Sequence, residues 1–455
     1  MKRKILMCAP FNTRSGYGDH ARSIFYSIMD REDFEIKCVD VRWGSTPRNH
    51  LDPSIPKHKK LLDTFIDGKN IKEQPDVYID IRIPNEFQTP GKLNIGITAG
   101  VEADICSAEF VQGCNKMDLV LATSNFTKDT FMRSVYDKVN NDTNKSEGTV
   151  SVVKPMGVLS EGIDTDIYQP ISDAGKSDDP FKREIYDLVK ESFVFLHVGQ
   201  WGKGKYGQDR KNIGLMIKCF LQAFANQPYP PALLLKTNGA DFSILDREEI
   251  QRKIKGEINK FKGMDSLPNI YLLHGHLTLE EMALLYNLPK VKAMLSCTHG
   301  EGFGRPLAEA TCCDLPVIAS AWSGQLDFLN PKQSVLIDGK LAPIPDNLIW
   351  EPIIVKPGKW FNVDEGDVIR KLRFFHKNYR TIKHSAKKLG MWNRNKFSLT
   401  TMAKQLNKIL DQLIAQIPEA PQAMSLKLPK LKKVKSDTTP TKRATIKLPK
   451  LKKVT

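Results

Sequence analysis

The sequence predicts an α/β fold in which parallel β-strands alternate with α-helices. Three stretches, starting near residues 4, 193 and 293, each run from a short apolar segment through a glycine-containing loop to a helical pattern. Short apolar runs bounded by turn residues are typical of strands buried on both faces of a parallel sheet. The chain of 455 residues is long enough for two such domains. We therefore expect doubly wound domains that bind ligands at the carboxyl edges of their sheets.

Apolar runs predict the strands in chain order, because polar or turn residues follow each run. In the first half the predicted strands are residues 4–9, 34–41, 77–81, 93–97, 118–124 and 150–153, with a helix over 21–29 and a surface loop over 140–148. In the second half they are residues 193–198, 233–236, 270–273, 293–297 and 315–320. Helical spacing predicts helices over 214–225, 279–286, 307–313 and 368–379, and one or two more within 391–414. Residues 331–365 are expected to be irregular.

Composition places the chain among soluble globular proteins, with 41% hydrophobic and 26% charged residues. No apolar run approaches the roughly 18 residues of a membrane span, so we expect no transmembrane segment. The apolar start of the chain is too short for a signal peptide and fits a first strand better. The eight cysteines form no CxxC pair, and several lie in apolar stretches. These features predict a cytoplasmic protein without disulfides or structural zinc.

The stretch from residue 293 to residue 325 contains the most informative loop. A strand leads into a loop with three glycines, and Pro306 then opens a helix. Free N–H groups at a helix start favour an anion. Two carboxylates, Glu301 and Glu309, flank the start of this helix. The pattern fits a ligand with both phosphate and hydroxyl groups, such as a sugar nucleotide. From spacing alone, an ordinary strand–helix turn with incidental glutamates fits equally well.

Residues 301–309, with the sequence EGFGRPLAE, resemble the E-x7-E signature of the GT4 (group 1) retaining glycosyltransferases. The following LPVIAS, at residues 315–320, also resembles that family, and the resemblance extends from residue 1 to about residue 416. It implies a GT-B fold, with two Rossmann-like doubly wound domains facing a cleft. The expected units are an acceptor-side domain (1–173), a nucleotide-sugar domain (180–390) and a closing helical segment (391–416) packed on the first domain.

The resemblance assigns the binding roles in the E-x7-E segment. It implies that Glu309 holds the ribose hydroxyls of the donor. Glu301, with the backbone of Gly302, Phe303 and Gly304, would hold the transferred sugar. Retaining hydrolases place two carboxylates about 5 Å apart as an acid–base and nucleophile pair. In the resembled family both glutamates act in binding instead.

Positive charge follows the strand at residues 193–198. The resembled family carries an arginine and then a lysine in this loop. Lys211 matches the lysine, whereas Gln200 stands where the arginine is expected. We predict that Arg210 takes its place, with Lys203 and Lys205 as alternatives. Cations here would stabilise the charge of a departing diphosphate.

Two loops of the first half supply further candidates. Glu102 loosely matches a position where many relatives carry an acidic or histidine residue near the reactive sugar carbon; a surface-loop glutamate is the alternative. Gly16 lies in a glycine-containing loop before the first helix, which would face the donor phosphates. Arg14 and His20 in that loop are candidate acceptor or phosphate contacts, or solvated groups at a helix entry.

Two patterns that suggest metal binding are interpreted otherwise. His274 and His276 are too few for a zinc site, and we predict that the His274 loop lines the base pocket of the donor. Asp164 and Asp166 form a D-x-D in sequence that resembles the family's interdomain hinge. We therefore expect no metal and no cofactor apart from the nucleotide-diphosphate sugar, which is the donor substrate.

The end of the chain has a different character. The sequence KLPKLKKV occurs twice, at residues 427–434 and 447–454. Residues 425–455 contain eleven Lys and Arg and one Asp, and so carry +10 of the net charge of +16. We predict a disordered basic tail over 418–455. It could bind nucleic acid, an anionic membrane surface or a protein partner, or remain solvated without a specific partner.

The sequence thus predicts a retaining, metal-independent glycosyltransferase of the hexosyltransferase type. It would move a hexose-type sugar from a nucleotide-diphosphate sugar to a saccharide, lipid or protein acceptor. Two alternatives remain open: a transferase acting on nucleic acid, with the basic tail as a tether, and a non-catalytic GT-B binding or assembly protein.

Overall fold

The computed structural model describes residues 2–44, 46–68, 71, 73–140, 142–143, 145–175, 179–202, 208–239 and 241–417. Lys203 and Lys205 lie outside these ranges, as does the basic tail from residue 418. Residues Met1–Ile417 form one compact unit.

The first half is built on six parallel strands in the order β2-β1-β3-β4-β5-β8. Serine hydroxyls at the starts of three of its helices accept backbone N–H groups, which accounts for where those helices begin. The elements are β1 (Arg3–Ala9), α1 (Gly16–Tyr26), β2 (Phe34–Asp40), α2 (Pro56–Leu62), β3 (Val77–Ile81), β4 (Leu93–Thr98), α3 (Ala108–Lys116), β5 (Leu119–Ala122), α4 (Asn125–Arg133), β6 (Tyr136–Val139), β7 (Ser146–Val150) and β8 (Met156–Val158).

The second half contains another six-stranded parallel sheet, in the order β11-β10-β9-β12-β13-β14. Its elements are α5 (Pro180–Leu188), β9 (Val194–Val198), α6 (Ile213–Phe224), β10 (Ala232–Lys236), α7 (Ile244–Asn259), β11 (Ile270–Leu273), α8 (Leu279–Asn287), β12 (Val291–Ser296), α9 (Arg305–Cys312), β13 (Val317–Ser320), β14 (Val335–Ile337), β15 (Gly339–Pro343), β16 (Lys359–Val363), α10 (Glu365–Lys396) and α11 (Leu399–Ile414). The predicted pair of doubly wound α/β sheets is therefore confirmed.

The helix α11 returns to the first half of the molecule. Its apolar face buries Met402, Leu406 and Leu410 in the same core as the first sheet. Two segments thus pass between the halves, and they run side by side. The backbone N–H of Ile163 donates to the carbonyl of Phe397 at 2.8 Å, and the N–H of Leu399 donates back to Ile163 at 2.7 Å.

Two sequence predictions for the first half were wrong. Residues 140–148 are not simply a loop, because β6 and β7 pair there as an antiparallel hairpin. The last strand of the sheet is β8 and not residues 150–153. The hairpin strands are almost entirely exposed and polar, so they lack the apolar pattern by which strands are predicted.

The prediction of an irregular segment over residues 331–365 was also wrong. It contains β14 of the second sheet and the antiparallel hairpin of β15 and β16. This hairpin contacts the first half, where Asp104 N donates to Lys359 O at 2.9 Å and Lys359 N donates to the Asp104 carboxylate at 2.6 Å. Trp360 stacks on His299 with ring centroids 4.0 Å apart. The hairpin therefore covers the loops at the carboxyl edge of the second sheet.

All eight cysteines are buried and none is in a disulfide. Within the residues that the structure describes, no helix has the length and apolar character that crossing a bilayer requires.

Candidate functional site

Glu301 lies in the loop between β12 and α9, and only 8% of its surface is exposed. Lys211 forms an ion pair with its carboxylate, and Arg210 Nη1 is 3.8 Å from Oε2. The Glu301 backbone N–H donates to Ser323 Oγ at 2.9 Å, which fixes the loop. Burial acts to raise the pKa of Glu301, but Lys211 and Arg210 outweigh it and lower the pKa below its usual value. Glu301 is therefore a buried carboxylate.

Arg210 joins this loop to the first half of the molecule. Its Nη1 lies 2.7 Å from Glu102 Oε1, just beyond β4. Its backbone carbonyl accepts the N–H of His299 at 2.9 Å. The four residues predicted to be catalytic, Glu301, Lys211, Arg210 and Glu102, are thus brought into one cluster of two cations and two carboxylates. Burial and the neighbouring Arg210 lower the pKa of Lys211.

The loop before α6 is held in place by buried polar groups. Asp209 accepts the N–H of Ile213 at 3.0 Å, which positions Lys211 at the start of the helix. His197, in β9, donates from Nδ1 to the carbonyl of Leu295 at 2.9 Å. Burial lowers the pKa of His197 to about 4, so the ring is neutral. A Cβ added at Gly199 would lie 3.0 Å from His197 Nε2 and 3.6 Å from Lys211 Cγ. His197 Nε2 and the Lys211 side chain therefore both lie against Gly199.

Glu309 belongs to a second group, one turn into α9. Arg305 Nε donates to Glu309 Oε1 at 3.0 Å, and the Tyr286 hydroxyl lies 3.4 Å from Oε2. Arg305 also reaches Glu161, with Nη1 and Oε2 3.5 Å apart. Burial raises the pKa of both Glu309 and Glu161 to about 7, although Arg305 opposes the shift. The two glutamates of the E-x7-E segment therefore differ in charge state near neutral pH.

The glycine loop is where the two halves meet most closely. Ser124 Oγ donates to the Gly302 carbonyl at 2.5 Å, and a Cβ added at Gly302 would lie 2.1 Å from the carbonyl oxygen of Ala99. Gly304 caps α9 with φ of 95°, a left-handed conformation that favours glycine. The Phe303 side chain packs in the core against other aromatic rings. Any contact from Phe303 to a ligand would therefore come from its backbone.

In the first half, Gly16 begins α1, and a Cβ added there would meet no atom within 4 Å. His20, one turn further, is 3% exposed, and neither ring nitrogen has a hydrogen-bond partner among the described residues. Burial lowers its pKa to about 3, and Arg305 adds to the shift. Arg14 instead bridges the halves, because its Nη1 lies 2.6 Å from His276 Nε2.

His274 is fixed by another helix. Its Nε2 lies 2.9 Å from the Asp246 carboxylate at the start of α7, and the ring is almost fully buried. The D-x-D residues form a local turn, in which the N–H of Asp166 donates to Asp164 Oδ1 at 3.2 Å. In the described part of the chain, no three His, Cys, Asp or Glu side chains are grouped as metal ligands.

The sequence prediction missed three charged residues near these loops. Lys236, the last residue of β10, is 9% exposed and donates from Nζ to the Gly275 carbonyl at 2.5 Å. The signal was present, because a lysine that ends an apolar strand lies at the carboxyl edge of the sheet. Arg305 directly follows the glycine loop, and this position alone predicts a cation at the start of a helix. Glu161 gave no comparable signal.

No protein-family profile matches the sequence, and no curated protein sequence matches it. The fold is similar to several solved structures. Sucrose-phosphate synthase from Thermosynechococcus elongatus has a TM-score of 0.61 at 14% identity, covering 91% of this chain and 100% of that chain. HepE from Anabaena, solved in complex with UDP-glucose, has 0.58 at 13%, covering 90% and 99%. The α,α-trehalose 6-phosphate synthase from Burkholderia multivorans has 0.56 at 11%, covering 91% and 99%. This chain therefore has the GT-B fold, in which two Rossmann-like halves face each other, as the resemblance of residues 301–309 predicted.

Proposed function

We propose that the protein is a glycosyltransferase that moves a hexose-type sugar from a nucleotide-diphosphate sugar to an acceptor. The observation that carries the proposal is the convergence of Lys211 and Arg210 on Glu301, at the carboxyl edge of the second sheet and against the first half. Two cations beside a hydrogen-bond-accepting carboxylate suit a diphosphate attached to a sugar. HepE was solved with UDP-glucose, which is therefore the first donor to test.

Glu309 and Glu301 are assigned to donor binding. Glu309 uses one of its oxygens for Arg305 and makes only a long contact from the other, and a carboxyl group keeps further acceptor capacity in either protonation state. It therefore retains capacity for the two ribose hydroxyls. Glu301 is ionised and held by Lys211, so that it can accept hydroxyls of the transferred sugar. The loop backbone at Gly302 and Gly304 would approach the same sugar.

Lys211 and Arg210 are assigned to the departing diphosphate. In the reaction, the bond from the anomeric carbon to the diphosphate oxygen breaks, and a bond to the acceptor oxygen forms. The acceptor proton passes to a phosphate oxygen of the leaving group. Fixed cations placed where negative charge develops are the largest source of stabilisation for such a step. Glu102, which orients Arg210, acts on the side of the first half.

Retention at the anomeric carbon and independence of metal are part of the proposal. They rest on the resemblance of residues 301–309 to a retaining family and on cations, in place of a metal ion, facing the diphosphate. Nuclear magnetic resonance of the freshly formed product would show its anomeric configuration. Transfer rates with and without a chelator would test the second point.

The acceptor is proposed to be a saccharide, lipid or protein, and the basic tail keeps nucleic acid as the alternative. Full-length protein and a variant truncated after Ile417 should be compared for DNA binding over a salt series. If nucleic acid is the acceptor, only the full-length protein will show a steep loss of affinity with salt, because each phosphate contact steepens the slope. Shallow slopes for both proteins would contradict this alternative.

The decisive experiment is a screen of sugar nucleotides for thermal stabilisation and nucleotide release, repeated on Glu309→Ala and Lys211→Met. We expect at least one donor to raise the melting temperature of the native protein and both substitutions to reduce that rise. Failure of every sugar nucleotide to stabilise the native protein would contradict the proposal. Stabilisation by a sugar nucleotide, with no nucleotide released in the presence of any acceptor, would favour the binding-protein alternative.

A further inference from the structure

Lys236 is a buried cation without a counter-charge. Its side chain lies at the carboxyl edge of β10, where Nζ donates to the Gly275 carbonyl and lies 5.8 Å from the centre of the Phe242 ring. No carboxylate of the described residues lies within 4 Å of it. Residues 203–207 and 240, which are not described, contain no acidic residue. An ammonium has three N–H donors, so the Gly275 carbonyl leaves most of its bonding capacity unused.

The surroundings of Lys236 also present unused polar groups. The hydroxyl of the next residue, Thr237, is fully buried and has no hydrogen-bond partner among the described residues. A buried hydroxyl is normally satisfied, so an unfilled one in the residue that follows Lys236 indicates a missing partner at this end of β10. A group with several anionic oxygens would accept the unused N–H donors of the ammonium.

Strand order places Lys236 next to the proposed donor cations. β10 pairs with β9, and the N–H of Gly199 donates to the Lys236 carbonyl at 3.2 Å. Gly199 in turn lies against the Lys211 side chain. Lys236 is therefore one strand away from the cluster of Lys211 and Glu301. Gln200, which stands where the resemblance predicts an arginine, donates to the Gly239 carbonyl of the loop that follows Lys236.

A buried, uncompensated charge is costly to a folded protein, and burial accordingly lowers the pKa of Lys236 to about 8. Such groups are concentrated at functional sites, where a ligand supplies the missing charge. A purely structural lysine buried to this extent would be expected to have a carboxylate partner, and Lys236 has none among the described residues.

We propose that Lys236 binds a phosphate group of a substrate at the carboxyl edge of β10, beside the cluster of Lys211 and Glu301. The inference rests on the proposed function for the identity of that site. The phosphate has two chemical sources: the diphosphate of the donor, or a phosphate monoester carried by the acceptor. Both present several anionic oxygens, which accept N–H groups of the ammonium.

The test uses full-length native protein and the variants Lys236→Met, Lys236→Arg and Lys340→Met. Lys340 is an exposed lysine of β15 and serves as the matched control. Calorimetry at fixed ionic strength measures binding of inorganic pyrophosphate, UDP and glucose 6-phosphate. If the donor supplies the phosphate, Lys236→Met weakens pyrophosphate and UDP binding at least tenfold. If the acceptor supplies it, only glucose 6-phosphate binding weakens. Lys236→Arg retains most of the affinity, and Lys340→Met stays within twofold of native.

A second measurement decides the question if Lys236→Met does not fold. Because the lysine loses its proton near pH 8 whereas arginine stays charged, native affinity falls between pH 7 and pH 9 relative to that of Lys236→Arg. The arginine variant corrects for ionisation of the ligand itself. Parallel pH profiles would overturn the proposal, as would binding of all three probes by Lys236→Met within twofold of native, or no binding by the native protein.

This outcome is separable from that of the proposed function. Binding of pyrophosphate and sugar phosphate requires neither a donor sugar nor turnover. A protein that binds them through Lys236 but transfers no sugar would contradict the transferase proposal alone. A protein that transfers sugar equally well with Lys236→Met, and binds the three probes as native does, would contradict the Lys236 proposal alone.

Discussion

Arg210 and Glu102 form a 2.7 Å ion pair between the loop before α6 in the second half and the loop after β4 in the first. Arg210 also lies near Glu301. Which of the two carboxylates Arg210 neutralises therefore depends on the relative position of the halves. A substrate that separates the two loops would break the contact between Arg210 and Glu102. Arg210 would then contact only Glu301 and the diphosphate.

Glu102→Gln is therefore expected to lower transfer activity much more than stability. Both side chains of the pair are partly exposed, and exposed ion pairs contribute only about 0–1 kcal/mol. Loss of the charge that orients Arg210 should reduce kcat/KM about tenfold or more. Urea unfolding and steady-state kinetics on the same preparation would check this. The pair would be chiefly structural if the loss in unfolding free energy equalled the loss in kcat/KM expressed as a free energy.

Lys211→Met is expected to destabilise the protein by about 3 kcal/mol, because Glu301 would remain buried with only the more distant Arg210. The double variant Lys211→Met with Glu301→Gln should recover much of that stability without recovering activity. A double-mutant cycle from denaturant unfolding measures the coupling. Additive effects of the two substitutions would argue against a coupled buried pair.

The raised pKa values of Glu309 and Glu161 predict a pH dependence of stability. The folded protein holds these protons more tightly than the unfolded chain, so their contribution falls as pH rises from about 4.5 to about 7 and is constant above. A pKa shift from 4.5 to about 7 corresponds to on the order of 3 kcal/mol of unfolding free energy for whichever of the two carboxyls ionises first. Glu309→Gln with Glu161→Gln should therefore gain stability relative to native over that window.

Unfolding free energies at pH 5, 6, 7 and 8 would measure the difference between that double variant and native protein. Glu248→Gln, at an exposed glutamate of α7, is the matched control. A difference that stays constant from pH 5 to pH 8 would mean that the two carboxyls are not shifted.

Gly302→Ala is expected to push the two halves apart, because the added Cβ would lie 2.1 Å from the Ala99 carbonyl oxygen. Backbone atoms cannot yield as a flexible side chain can, so donor binding and transfer should both fall at least tenfold. Gly256→Ala, where an added Cβ meets nothing within 4 Å, should instead stabilise α7 by about 0.5–1 kcal/mol. Small-angle scattering and melting temperatures would show whether Gly302→Ala opens the protein or leaves it unchanged.

The sequence was sufficient for much of this arrangement. Glu301 and Lys211 each follow an apolar strand, and both strands end at the same edge of one sheet, so their proximity could be expected. The pairing of Arg210 with Glu102, and of Arg305 with Glu161, could not be expected in the same way. Those contacts depend on how the halves are oriented, which no local pattern encodes. The burial of Lys236 could not be predicted either, because a lysine at the end of a strand is usually exposed to solvent.

The paired crossing at Ile163 and Leu399 has a mechanical consequence. Two connections at separate places would hold the halves at two points and restrict their relative rotation. Because the two connections are hydrogen-bonded to each other as a single ribbon, they act as one pivot. We therefore expect relative motion of the halves to occur as rotation about that ribbon, as in a hinge closure. In such a rotation the distance of a residue from the axis sets how far it travels, so loops far from the ribbon would move furthest.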